Sequence, residues 1–368
     1  MSRVVRLSVL LPVIAISLAC SSNANKASKS PAAAPRSGSP VASSANGVAP
    51  ASLTKVTVGY IPILIYAPFF VAIDRGYLRD QGIQVDLQAL AGGADMLTQT
   101  AAGNFDIGAG GIGSAYFNLA ARAKSLNQPQ PMRIVAPLHA EKPPLATPLV
   151  VGKKAFDEGR IKTIADLKGK KVAINAPGAA TEYWLEKALN AGGLTSKDVE
   201  VVNIPFQNVA EALDSGAISG AMLGEPFATQ GVHDGQVHVL NNSFLDGDQP
   251  TAVYYNSDWA AKHPQLAEGF MVAYLKAIRD LERGGWRDPA TLAIIAKYTN
   301  LPTDTIAAAA RPYGDPNGTV NIASLQNQQT FFKQQGRLTY DQTLDIPSLI
   351  DSSYAQAAVK TLGTFAPR

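Results

Sequence analysis

Residues 55–89 read KVTVGYIPILIYAPFFVAIDRGYLRDQGIQVDLQA, and this stretch indicates the fold class. Lys55–Tyr60 alternates β-branched residues with others, which is typical of a strand. Ala67–Ile73 is apolar, has Pro68 at its start and precedes a glycine, the pattern of a short helix. Gln84–Ala89 alternates again and predicts a second strand. Strand, helix and strand in this order predict a parallel β-α-β unit.

The alternation of strands and helices continues to about residue 223. Strands are predicted at Phe105–Gly108, Arg133–Leu138, Leu149–Gly152, Lys171–Asn175, Glu200–Ile204 and Gly220–Leu223. Helices are predicted at Asp95–Ala102, Ser114–Lys124, Thr181–Ala191 and Val209–Ser215. Helices alone are predicted at Gln265–Arg283, Pro289–Lys297, Asp304–Ala310, Ile322–Gln335 and Pro347–Leu362, where Gly363 follows as a stop. The pattern predicts an α/β protein with mainly parallel sheets covered on both faces.

A weak internal repeat suggests two lobes of related build. Residues 98–108 run from a helix end through Gly103 into a strand, and residues 211–221 repeat this layout through Gly216. The length of 368 residues suits two lobes, and 46% hydrophobic residues allow a sizeable core.

The net charge of +3 does not indicate a nucleic-acid-binding surface. Residues 1–50 hold five basic residues and no acidic one, so the rest of the chain has a slight acidic excess. We therefore expect no nucleic-acid partner.

The first residues are typical of an export signal. Arg3 and Arg6 precede an apolar run, Leu7–Ala19, that is too short for a membrane span of about 20 residues. A lone cysteine, Cys20, follows a small residue, which resembles the lipobox of bacterial lipoproteins, although Ser17 stands where that pattern has Leu. The sequence thus predicts a signal peptide over residues 1–19 and lipidation of Cys20; a cleaved signal with an incidental cysteine is the alternative.

Residues 20–53 are predicted to form the lipid anchor and a disordered linker. Residues 21–52 are nearly all Ser, Ala, Pro, Asn and Gly, which cannot bury enough surface to fold. Such a tether reaches about 30 Å. The folded protein is expected to begin near Thr54.

Catalytic motifs are missing from the sequence. It has no Gly-x-Ser-x-Gly, Walker A or His-Glu-x-x-His motif, and its one cysteine lies in the signal region. His233 and His238 are five residues apart, which does not suit a helical metal pair. We expect no catalytic residues, no metal and no cofactor.

Gly108–Gly113 reads GAGGIG and matches the dinucleotide-binding pattern. That pattern needs an acidic residue about 20 positions later, and residues 127–140 contain none before Glu141. Glycines still allow a ligand to approach the backbone, and the helix predicted from Ser114 offers free N–H groups. Similar loops follow other predicted strands at residues 60–66, 91–94, 176–181 and 224–226. Open α/β sheets bind ligands at the carboxyl ends of their strands. Five such loops in a sequence without a catalytic triad favour a binding cleft over an active site.

An ordered set of short motifs resembles a known family. The motifs include Val58-Gly59-Tyr60, Ala67–Ala72, Arg75–Leu78, Gly82–Val85, Gly92–Asp95, Ala102–Ile107 and Gly224–Phe227. They resemble the extracytoplasmic solute-binding proteins of ABC importers, in the nitrate/sulfonate/taurine and thiamine-precursor group. The resemblance implies a periplasmic-binding-protein-like type II fold with a ligand cleft between two lobes. Lobe 1 would hold residues 54–146 and 250–368, lobe 2 residues 147–249, and the crossing strands would be Leu149–Gly152 and Ala252–Tyr255.

The resemblance also implies a function. The chain would be an exported, lipid-anchored monomer on the outer face of the cytoplasmic membrane that delivers a small solute to an ABC permease and its ATPase subunits. A ligand-sensing module for a membrane receptor is the alternative. A pyrimidine-precursor synthase is disfavoured, because the cysteine-rich segment of those enzymes is missing.

We predict the type of solute from the positions at which the sequence departs from the family pattern. Ala179 and Ala180 replace a hydroxyl residue and Gly224 replaces an aromatic one, which predicts a roomy pocket for an organic ring compound, such as a sulfonate or a pyrimidine, rather than nitrate. Glu225 is expected to accept hydrogen bonds from the solute, or alternatively to cap residues 227–229. The candidate ligand-binding residues are Tyr60, Ile61, Tyr66, Gly92, Gly93, Gly111, Ser114, Ala179, Thr181, Glu182, Glu225 and Tyr254.

Overall fold

Two five-stranded sheets organise the chain in the computed structural model, which describes residues 53–90 and 93–366. The predicted signal peptide (residues 1–19), Cys20, nearly all of the predicted linker and Gly92 lie outside the described residues. Within the part of the chain that the structure describes, no helix is long and apolar enough to cross a membrane.

The first sheet has the strand order β2-β1-β3-β10-β4. Its strands are β1 (Thr54–Tyr60), β2 (Ile83–Ala89), β3 (Ile107–Gly111), β4 (Met132–Glu141) and β10 (Asp248–Asn256). β1 pairs in parallel with β2 and β3, whereas β10 runs antiparallel to β3 and β4.

The second sheet has the order β7-β6-β8-β5-β9 and repeats this layout. Its strands are β5 (Leu149–Gly152), β6 (Lys171–Ile174), β7 (Glu200–Asn203), β8 (Gly220–Met222) and β9 (Val237–Asn241). β6 is parallel to β7 and β8, and β5 is antiparallel to β8 and β9. Four strands of each sheet therefore run in one direction, as predicted for mainly parallel sheets. The exceptions are β5 and β10, which arrive from the other sheet and run in the opposite direction.

Thirteen helices of the described residues surround these sheets. They are α1 (Ala67–Asp74), α2 (Gly93–Ala101), α3 (Ser114–Ser125), α4 (Lys153–Asp157), α5 (Ala180–Asn190), α6 (Phe206–Asp214), α7 (Phe227–His233), α8 (Ser257–Lys262), α9 (Pro264–Glu282), α10 (Pro289–Thr299), α11 (Thr303–Ala308), α12 (Ile322–Gln334) and α13 (Ser353–Leu362).

The internal repeat predicted from the sequence has a structural counterpart. Gly103 (φ +78°) separates α2 from β3, and Gly216 (φ +74°) separates α6 from β8. β3 and β8 are both the third strand of their sheets. Glycine suits both junctions because positive φ is unfavourable for other residues.

The long helix predicted at Pro347–Leu362 is two elements. Ile346–Leu349 is a short 3₁₀ helix, and α13 begins only at Ser353. Between them the chain pairs with β4, since the amide of Asp351 donates to the carbonyl of Ile134 at 2.8 Å. The backbone is extended where this hydrogen bond forms, so a single helix does not span the segment.

The core beside the first sheet fixes the position of the loop after β1. Phe69 of α1 is buried and packs edge-on against Phe270 and Tyr274 of α9, with ring centroids 5.6 and 5.5 Å away. The Tyr274 hydroxyl donates to the Pro137 carbonyl at 2.7 Å. α1 is therefore held rigidly, with its N-terminus at the carboxyl end of β1.

Candidate functional site

The loops after β3 and β6, which belong to different sheets, are in direct contact. The amide of Ser114, the first residue of α3, donates to the carbonyl of Gly178 at 2.9 Å. Gly178 lies just before α5, whose N-cap is Ala179. The structure thus brings together three of the predicted positions, Ser114, Ala179 and Glu182, at the carboxyl ends of two strands.

Two glycines make this contact possible. A Cβ added to Gly113 would lie 2.2 Å from the Gly178 carbonyl oxygen, and one added to Gly178 would lie 2.2 Å from Ser114 Oγ. Gly178 also has φ +75°. The last glycine of the GAGGIG stretch therefore permits close approach of the two halves of the chain.

Glu182 lies in the first turn of α5 and links three segments. Its Oε2 accepts a 2.6 Å hydrogen bond from the Gly178 amide, and its Oε1 accepts from Arg337 Nη2 at 2.7 Å. Its side chain is only 9% exposed, so the carboxylate is shielded from water, whereas the Arg337 side chain is 41% exposed. The hydrogen bond to Glu182 raises the pKa of the Arg337 guanidinium. Arg337 was missed by the sequence analysis because it belongs to no motif.

Glu225 lies before α7 and is hydrogen-bonded within the protein. Its carboxylate accepts from the Thr229 amide at 3.0 Å, from the Thr229 hydroxyl at 2.9 Å and from the Ala310 amide at 3.3 Å. The capping alternative considered for Glu225 corresponds to this geometry. Burial raises the pKa of the Glu225 carboxyl group. The backbone amide of Glu225 donates to the carbonyl of Ala146, in the segment between β4 and β5.

Gly224 does not open the pocket that its small size suggested. A Cβ added there would lie 2.9 Å from the ring of Phe206, so that ring already fills the space. The Thr181 hydroxyl already has a hydrogen-bond partner in the protein, because it donates to the side chain of Asn175. The roomier pocket expected at Gly224 is therefore not seen.

The predicted aromatic residues lie at different depths. Tyr66 and Tyr254 are fully buried, and a Cβ on Gly110 would lie 3.6 Å from both hydroxyls. Tyr66 donates to the Ala109 carbonyl at 2.7 Å, and burial raises its pKa. Tyr60 is half-buried and packs edge-on against Tyr66, with centroids 6.3 Å apart.

Other candidates lie nearer the surface. Ile61, Gly111 and Ser114 are half-buried, and Gly93 is the first residue of α2. A Cβ added to Gly111 would meet nothing within 4 Å among the described residues. Gly111 ends β3 and precedes the Ser114–Gly178 contact, so its backbone is accessible beside that contact.

Buried carboxylates cluster where the chain passes between the sheets. Glu141 accepts from the Ala146 amide at 2.7 Å, and His139 Nε2 lies 3.5 Å from its other oxygen. Asp248 accepts from Trp184 Nε1 at 2.8 Å, and burial, with Glu141 nearby, raises the pKa of Asp248. Among the described residues, no group of three or more His, Cys, Asp or Glu side chains is arranged to hold a metal ion.

The comparisons with known proteins agree with this architecture. A family model described as "NMT1-like family" matches residues 49–299. The chain belongs to this family. It is similar to the nitrate/nitrite binding protein NrtA of Nostoc sp. (24% identity, covering 83% of this chain and 72% of that one) and to the taurine-binding periplasmic protein of Escherichia coli (25% identity, 72% and 82%).

A solved structure of similar fold is the periplasmic nitrate-binding protein NrtA of Synechocystis. It matches with a TM-score of 0.69 and 17% identity, covering 84% of this chain and 89% of that one. The α/β fold of the periplasmic solute-binding proteins, predicted from the resemblance, is therefore confirmed.

Proposed function

We propose that this chain is an exported solute-binding protein that captures a small organic solute between two lobes and delivers it to an ABC permease. The observation that carries the proposal is the contact between Ser114 and Gly178, where the loops of two different sheets meet beside the accessible backbone of Gly111. The names of the relatives, nitrate/nitrite-binding and taurine-binding proteins, support the same class of function. Lobe 1 would be residues 54–146 and 250–368, and lobe 2 residues 147–249.

The hydrogen bonds of the loops favour an organic solute over a small oxyanion such as nitrate. The Ser114 amide is engaged by the Gly178 carbonyl, and the Gly178 amide by Glu182. These N–H groups, which could hold an oxyanion, already have partners in the chain. The buried carboxylates of Glu141 and Glu225 also disfavour a plain anion nearby. A ring compound with N–H groups fits this electrostatic environment, and the protein would bind it without turnover.

The lipid anchor at Cys20, location on the outer face of the membrane and a monomeric state belong to the same proposal. The export signal and the Ser-, Ala- and Pro-rich segment of the sequence support the anchor and the location.

A thermal-shift screen tests the function. Nitrate, taurine, aliphatic and aromatic sulfonates, and pyrimidines are each added to the purified protein. An organic ring compound should raise the melting temperature, since a ligand at a hundredfold excess over Kd stabilises by about 2.7 kcal/mol. Calorimetry then gives the affinity, and chromatography follows the compound over time. Binding of nitrate alone, or consumption of the bound compound, would refute the proposal.

A further inference from the structure

Five residues close a ring of hydrogen bonds between α3 and α5. The Ser114 amide donates to the Gly178 carbonyl, and the Gly178 amide donates to Glu182. Glu182 accepts from Arg337, whose carbonyl accepts from Asn118 Nδ2 of α3 at 3.0 Å. We call this ring the α3–α5 clasp; its members are Ser114, Asn118, Gly178, Glu182 and Arg337.

The two sides of the clasp are fixed to different sheets. Asn118 lies one helical turn after Ser114 on α3, which follows β3 of the first sheet. It holds the Arg337 segment at two points, because its Oδ1 also accepts from the Thr339 amide at 2.8 Å. Glu182 lies one turn after Gly178 on the other side, and α5 follows β6 of the second sheet. Separation of the sheets at this edge would break the Ser114–Gly178 and Glu182–Arg337 bonds together.

Arg337 acts on the loop before α5 through Glu182. The Gly178 amide donates to Glu182, and Arg337 orients that carboxylate. The guanidinium makes three contacts to Glu182: Nη2 donates to Oε1 at 2.7 Å, and Nε lies 3.2 Å from both Oε1 and Oε2. Arginine side chains make stronger, better-oriented bonds to carboxylates than single-point donors do. Arg337 thus contributes chiefly to the contact between the two halves.

We infer that Arg337 is a positioning residue for solute capture: through Glu182 it holds the Gly178 peptide against Ser114, and so keeps the cleft closed and slows solute release. The inference rests on the proposed function for the effect on release. The effect of Arg337 on the distance between the two halves of the chain does not depend on any solute.

The first test measures that distance without solute. Spin labels are placed at the exposed positions Lys124→Cys and Lys197→Cys in full-length protein carrying Cys20→Ser, which removes the one native cysteine. Arg337→Gln should lengthen or broaden the distance distribution, and Arg337→Lys should do so less. The matched control is Arg160→Gln, which removes an exposed 2.7 Å pair with Glu158 inside a single segment.

The second test measures solute release by stopped flow, with the compound found in the thermal-shift screen. Arg337→Gln should raise the dissociation rate about tenfold with little change in the association rate, whereas Arg160→Gln should leave both unchanged. In the Glu182→Gln background, Arg337→Gln should add almost nothing, since the partner charge is already gone.

The outcomes separate the two proposals. An Arg337→Gln distance distribution identical to those of the parent and Arg160→Gln proteins would overturn the inference, whatever the result of the solute-release measurement. A changed distribution in a protein that binds no compound of the screen would support the clasp and count against the proposed function. A changed distribution with an unchanged dissociation rate would overturn the role in release.

Discussion

The backbone amide of Ser114 donates a 2.9 Å hydrogen bond to the carbonyl of Gly178, 64 positions later in the sequence. This bond joins the first residue of α3 to the loop before α5, and therefore joins the two sheets. It occupies a helix N-terminal amide that could otherwise bind an anion. The contact between the halves of the chain therefore uses a backbone amide that a solute-binding loop could otherwise offer to an anion.

Gly113→Ala should destabilise the contact between the two halves. The new Cβ would lie 2.2 Å from the Gly178 carbonyl oxygen, a backbone atom that cannot rotate away. Overpacking of this kind costs about 1–3 kcal/mol. Urea denaturation should show the loss, and Gly111→Ala is the control, because its Cβ meets nothing within 4 Å among the described residues. Equal stabilities of the two variants would contradict this explanation of the glycine.

Glu225→Ala should lower the stability of the protein by about 1–3 kcal/mol, the cost of leaving buried donors unpaired. The amides of Thr229 and Ala310 both donate to this carboxylate and would lose their acceptor. Thermal denaturation measures the effect, with Glu211→Ala on the exposed side of α6 as control. If Glu225→Ala is as stable as the control but loses solute affinity, Glu225 contacts the solute directly and the capping role is minor.

Cys20→Ser should release the protein from the membrane fraction without changing its solute affinity. The prediction rests on the sequence alone, since Cys20 lies outside the described residues. A lipid chain is the expected attachment, and serine cannot form the thioether. Fractionation of cells followed by immunoblotting measures the distribution, and Ser21→Ala, which keeps the cysteine, is the control. Retention of the serine variant in the membrane would show that Cys20 is not the anchor.

Local sequence signals predicted much of the fold. Alternating strand and helix patterns predicted the α/β class. The glycines that follow α2 and α6 indicated two related halves. These signals can be recognised in the sequence because a helix end at positive φ depends on only a few adjacent residues. The reversed direction of one strand in each sheet was not predicted. β5 and β10 are antiparallel to their neighbours because of the path between sheets, which no short stretch of sequence records.

The candidate site was predicted only in part, for a similar reason. Ser114 and Glu182 were found because they begin helices after strands. Arg337 was not, because it lies 155 positions from Glu182 and has no motif around it. Gly224 was interpreted as open space, whereas the ring of Phe206, distant in sequence, occupies that volume. Contacts between distant segments decide which small residues leave room for a ligand.

Asp248 should make a contribution to the unfolding free energy that falls as the pH rises above the ordinary range of an aspartic acid. Burial and the nearby Glu141 raise the pKa of Asp248. A carboxyl group with a raised pKa in the folded state contributes stability below its unfolded pKa, about 3.9, and this contribution is lost as the pH rises through the folded pKa. Asp248→Asn should therefore reduce the fall in stability above about pH 4, because asparagine does not titrate. The asparagine oxygen can still accept from Trp184. Urea denaturation at several pH values measures the slope, with the exposed Asp246→Asn as control. Identical pH profiles for the two variants would show that Asp248 is not the group responsible.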